Sequence, residues 1–125
     1  MNRCFAVALV LVSVFPLSGR VQAAEEIVQL RMQRARCICG IVSYVTGDVV
    51  SGALVEDFAE DWRGTPLRSI KANSEGRFVL TPVKGRKVYY LQISSRKPGV
   101  NPLRIPVQIS RIRGTKLLRL RLHLA

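Results

Sequence analysis

The run Leu118-Arg119-Leu120-Arg121-Leu122-His123-Leu124 alternates apolar and polar residues without a break. A period of two puts four leucines on one face and Arg119, Arg121 and His123 on the other, the pattern of a half-buried antiparallel strand. Leu103, Ile105, Val107 and Ile109 alternate in the same way with Arg104, Pro106 and Gln108. Pro106 has no N–H to donate, which assigns that strand to an edge or a bulge. Further strands are expected over 37–44, 53–58, 67–72, 77–81 and 87–94, separated by Thr46-Gly47-Asp48, Gly64-Thr65-Pro66, Asn73-Ser74-Glu75-Gly76 and Lys84-Gly85-Arg86. These are turn residues. The turn at 73–76 reads as a hairpin bend, and Phe78 and Leu80 after it share an inward face. About seven short strands and no long helical period predict an all-β fold, a single antiparallel β-sandwich.

One series of segments is more specific. Asn73-Ser74-Glu75-Gly76-Arg77-Phe78-Val79-Leu80 stands between Gly40-Ile41-Val42 and Ser51-Gly52-Ala53-Leu54-Val55 upstream and Tyr90-Leu91-Gln92-Ile93 downstream. The series resembles the carboxypeptidase regulatory-like domain, a transthyretin-like (prealbumin-like) β-sandwich, over roughly residues 37 to 109. The resemblance implies an immunoglobulin-like Greek key and a non-catalytic role, because this domain is the companion of the peptidase in some members and stands alone in others. The chain departs from the pattern in the acidic insert around Trp62 and in the Cys37-Ile38-Cys39 pair.

The N-terminus reads as a secretory signal: Arg3 supplies the positive start, residues 4–17 are almost wholly apolar, and Val21 and Ala23 are small residues at the positions a signal peptidase inspects. An uncleaved anchor is the competing reading, but the run is short against the ~20 apolar residues a bilayer needs and Pro16 interrupts it. The expected organisation is a signal peptide over 1–23, a leader or edge strand over 24–36 and a β-sandwich domain over 37–125, secreted or periplasmic after cleavage. Mass spectrometry of the exported protein should then find a chain that begins at Ala24. A chain still carrying Met1, from a host with an active signal peptidase, would refute the assignment.

Cleavage leaves 102 residues, and the formal net charge of +12 falls to +10 with the loss of Arg3 and Arg20. Outside the cytoplasm such a charge meets anionic lipid headgroups, acidic polysaccharides and acidic protein surfaces rather than nucleic acid. Cys4 leaves with the signal. Cys37 and Cys39 remain, two apart, and a disulfide between them requires the strand to bend, since extended residues at that spacing hold their Cα atoms near the upper limit of bridge geometry. The other reading is a pair of small buried hydrophobes. Two thiols are too few for a cysteine-only structural zinc site.

Catalytic patterns are missing. The single histidine, His123, rules out a zinc hydrolase site built from several histidines, and no Gly-x-Ser-x-Gly elbow occurs. The resemblance brings two enzyme groups with related sandwiches into view, the hydroxyisourate hydrolases and the intradiol dioxygenases; both need more than one histidine. Four of the eight acidic residues, Glu56, Asp57, Glu60 and Asp61, fall within six positions, without the spacing of a calcium loop. They read as a solvated loop neutralised by Arg63 or Arg68. No cofactor or metal is expected.

Two binding surfaces are candidates. Trp62 with Arg63 in the loop after 53–58 has the residue type that stacks on sugars or anchors a protein partner; its alternative is to fold back over an open end of the sandwich. Arg104, Arg119 and Arg121 would project outward, joined through Arg111, Arg113 and Lys116, and would form one cationic ribbon if their two strands are neighbours. Aromatics do not interleave with that ribbon, which argues against base stacking. The reading is a small exported binding or structural module contacting protein or glycan at the cell envelope, with a carbohydrate-binding module using Trp62 as the alternative and an unrecognised hydrolase third.

Overall fold

The computed structural model describes residues 31–124 together with the backbone of Ile27 and Val28, so the signal segment and Cys4 lie outside the described residues. Nine strands follow in order: β1 (Ile27–Val28), β2 (Gln33–Ala35), β3 (Ile38–Tyr44), β4 (Leu54–Phe58), β5 (Arg68–Lys71), β6 (Arg77–Leu80), β7 (Val88–Ser94), β8 (Leu103–Ile109) and β9 (Leu118–Leu122). One short 3-10 turn, Glu60–Trp62, lies between β4 and β5. The chain is all-β. Among the described residues no helix is long and apolar enough to cross a membrane.

The strands form two sheets, one of order β9-β3-β6 and a larger one of order β1-β8-β7-β4-β5, with β2 also on β8. Both are mixed, against the expectation of antiparallel pairing throughout. β9 runs parallel to β3, and β1 and β2 run parallel to β8. Alternation reports which face is buried and is blind to strand direction, so the two pairings look alike in sequence. β1 and β2 make the 24–36 segment an edge of the larger sheet.

Each expected strand forms within one or two residues of its anticipated ends, and parity sets its burial. Ile38, Val42, Val55, Phe78, Leu80, Tyr89, Leu91, Ile93, Leu103, Ile105, Val107, Leu118, Leu120 and Leu122 meet in one core drawn from both sheets. At roughly 1.5–3 kcal/mol per fully buried large aliphatic side chain, this is the dominant favourable term in folding. Leu124 departs from the leucine row: β9 ends at Leu122, and Leu124 is 55% exposed.

The turn at 73–76 makes no hairpin. β5 pairs with β4 in the larger sheet and β6 pairs with β3 in the smaller one, so this turn carries the chain across the core. Its tightness depends on Gly76, which takes φ +78° and whose Cβ, if present, would stand 2.5 Å from the Val42 carbonyl oxygen. Asn73 Oδ1 accepts from the amides of Glu75 and Arg77, both at 2.9 Å, and holds the turn closed.

Pro106 is not on an edge. β8 pairs with β7 on one side and with β1 and β2 on the other, but β1 ends opposite Arg104 and β2 begins opposite Val107. The break in that ladder falls at Ile105 and Pro106, where the ring has no donor to give.

Candidate functional site

Three places in the fold gather polar chemistry, and they differ in what they can do. The first is built on Asp57. Strand parity points Asp57 inward with Val55, and its carboxylate is fully buried. Arg68, directly across the β4–β5 ladder, donates Nε to Oδ2 at 2.9 Å. Arg86 grips the same carboxylate in fork geometry, Nη1 to Oδ2 at 2.9 Å and Nη2 to Oδ1 at 2.6 Å, and also donates to the Phe58 carbonyl at 3.0 Å. The Arg86 guanidinium lies 4.3 Å from the Tyr89 ring centroid. Tyr89 accepts from the Val83 amide at 2.7 Å and donates to the Arg86 carbonyl at 3.1 Å, tying the β6–β7 loop to the core. Asp57 is therefore not part of a solvated acidic loop, and its partners are Arg68 and Arg86 rather than Arg63. Every lone pair faces a protein donor, so the cluster closes the fold and leaves no room for a reacting group.

The second place is the outer face of the larger sheet. Asp61 and Trp62 both adopt positive φ, 57° and 56°, which costs an L-residue about 1–2 kcal/mol each. The compensation is visible. Trp62 donates Nε1–H to the Leu91 carbonyl at 2.8 Å and meets the Tyr90 ring edge-on at 5.1 Å between centroids. Arg104 stands 5.9 Å from the Trp62 ring and donates to Gln92 at 2.8 Å. Trp62 does fold back, over a sheet face rather than an open end. Its one donor is spent on the backbone, and Arg63 stays exposed beside it.

The third place is an open groove of about 660 Å³ along β2, the end of β8 and the 110–117 connection. Three backbone hydrogen bonds hold that connection against β2: Ser110 to Ala35 at 2.8 Å, Thr115 to Arg34 at 3.0 Å and Arg36 to Thr115 at 2.9 Å. Gly114 makes the approach possible, because a Cβ there would meet the backbone of Ala35 and Arg36 and the Ser110 carbonyl. The docking brings Arg31 and Arg34 to Arg113, with Gln33, Gln108 and Thr115 between them. All three arginines are exposed, and no carboxylate lines the groove.

The cationic ribbon is not formed. β8, carrying Arg104, and β9, carrying Arg119 and Arg121, belong to different sheets. Arg111, Arg113 and Lys116 instead share their end of the molecule with Arg31, Arg34 and Arg36. His123 is exposed, as expected from its face.

Cys37 and Cys39 join as a disulfide with Cα atoms 5.3 Å apart, and Cys37 lies in a bend just before β3 begins. The bend supplies the shortening that a strand alone would refuse. Both cysteines are partly exposed, and both sulfurs face the Lys116 carbonyl, at 3.6 and 3.5 Å. A bridge closing so short a loop removes little entropy from the unfolded chain, about 1.5 kcal/mol against ~3 for a 15-residue loop. Among the described residues no group of three or more His, Cys, Asp or Glu side chains is placed to hold a metal ion. Comparison with known proteins finds no matching family model, no matching curated protein and no matching solved structure.

Proposed function

We propose that this chain is an exported, non-catalytic β-sandwich module of the carboxypeptidase regulatory-like, transthyretin-like kind, which binds anionic polymers or acidic protein surfaces of the cell envelope through the Arg31–Arg34–Arg113 groove. The fold part of this reading is supported by the chain path: one strand in the smaller sheet followed by two in the larger, twice over, before β9 returns beside β3, as in a Greek key. The observation that carries the binding part is the groove itself. Guanidinium groups pair with phosphate, sulfate or carboxylate in fork geometry, and here three converge without a carboxylate of the chain to neutralise them.

Arg119 and Arg121 supply the internal comparison, since they are also exposed arginines but project from the smaller sheet. At ~0.15 M salt the Debye length is about 8 Å, so exposed arginines act on what lies near them. The mature protein should be retained on heparin and released as salt rises. Arg31→Ala/Arg34→Ala/Arg113→Ala should abolish most of that retention and Arg119→Ala/Arg121→Ala little of it. Equal losses from the two variants would refute a built groove in favour of diffuse charge. Salt-resistant retention on a neutral polysaccharide, lost with Trp62→Ala, would overturn the ranking in favour of carbohydrate binding at the Trp62–Tyr90 face.

A further inference from the structure

The cysteine pair is poorly suited to the role a bridge usually has. It spans two positions of one strand and its approach, links no two elements, and lies outside the core cluster. Its position is open: Cys39 stands on the outward side of β3 opposite Val79, which is 71% exposed. Its charge surroundings have one sign. Arg36 precedes Cys37, Lys116 contributes the carbonyl that both sulfurs face, and the adjoining segments 27–41, 76–88 and 110–122 contain no carboxylate. Nearby cations favour the thiolate, which is the nucleophile in thiol–disulfide exchange, and exposed disulfides are the labile ones. Thr115, next to Lys116, lines the basic groove.

We propose that Cys37 and Cys39 form a surface dithiol–disulfide centre that exchanges with thiols and disulfides of anionic clients. In the reduced state one thiolate of the pair attacks a sulfur of the client disulfide, forming a mixed disulfide and expelling the first client thiolate, which takes up a proton. The second cysteine, deprotonated, attacks the mixed disulfide, closes the Cys37–Cys39 bond and releases the second client thiolate. The client gains two electrons, the pair loses two, and no further reactant is consumed. A client dithiol drives the same steps in reverse. This chemistry is stoichiometric, and it stands whether or not the groove binds polymers.

The probes are glutathione disulfide, which is anionic, and cystamine, which is cationic. Reduced mature protein is mixed with each, quenched in acid and weighed by mass spectrometry. Exchange with glutathione disulfide should outpace cystamine by about tenfold at low salt, and the ratio should collapse near ~0.5 M salt, where screening is nearly complete. Cys37→Ser and Cys39→Ser should each stop at a single glutathione adduct. Cys37→Ser/Cys39→Ser should remain folded and keep the retention on heparin, which separates this centre from the groove. Exchange no faster than that of a linear Arg-Cys-Ile-Cys-Gly peptide would overturn the proposal. So would a bridge that resists dithiothreitol until the protein unfolds, or a preference for cystamine.

Discussion

Asp57→Ala should destabilise the protein by about 3–5 kcal/mol, the usual cost of removing one partner from a buried ion pair and leaving the other uncompensated. A domain of about a hundred residues has roughly 5–15 kcal/mol in total, so the loss is a large share. The orphaned groups would be Arg86, only 22% exposed in its side chain, and Arg68, at 30%. Arg68→Ala should cost less, because Arg86 keeps both carboxylate oxygens engaged. Arg86→Ala should approach the cost of Asp57→Ala, since it also removes the contact with Phe58 and the stacking on Tyr89. Replacing all three residues with apolar ones of similar size should recover much of the stability, because the charges pay for desolvation that an apolar plug avoids. Urea midpoints at constant m-value give the order. An Asp57→Ala midpoint equal to the native one, or Arg68→Ala as the worst of the single variants, would show that the cluster is solvated and the closure lies elsewhere.

That cluster also shows where sequence reading stops. Strand positions were legible because one period, two, governs every segment, and the turn residues divide them. Parity alone puts Asp57 on the Val55 face, so the signal for its burial was present; the surrounding acids Glu56, Glu60 and Asp61 masked it. The partner Arg86 lies 29 residues away, and no local pattern announces a guanidinium arriving from another loop. Strand direction was illegible for a similar reason. Whether β9 joins β8 or β3 depends on the path of residues 110–117, and that path depends on Gly114 packing against the backbone of β2. The ribbon of Arg104, Arg119 and Arg121 failed with that one connection, and the groove of Arg31, Arg34 and Arg113 arose from it. Trp62 is intermediate. Its residue type suggested a surface role, and the two left-handed residues that turn it onto Leu91 and Tyr90 are invisible in a sequence of Glu-Asp-Trp.

Register across the smaller sheet is the other point at which one side chain decides much. Phe78 faces Gly40 in the β3–β6 ladder and is 4% exposed. Its ring lies over the space the glycine leaves, since a Cβ on Gly40 would come within 3.0 Å of Phe78 Cε1. No neighbour can relax into the volume the ring vacates without moving β9, whose Leu118 backbone already closes on Gly40 from the other side. Phe78→Ala should therefore fall in the ~3–5 kcal/mol range of core aromatic truncations. Arg77, one position earlier, points outward, and its contact with Glu75 at 3.7 Å joins two exposed side chains. Such pairs contribute about 0–1 kcal/mol, so Arg77→Ala should leave the urea midpoint nearly unchanged. A shift of β6 by one residue would exchange the two outcomes, since it would turn Arg77 and Val79 toward the core and Phe78 toward solvent. Equal midpoints for Phe78→Ala and Arg77→Ala would rule out the β3–β6 register, and with it the crossing from β5 to β6 at Gly76 that places the basic connection against β2.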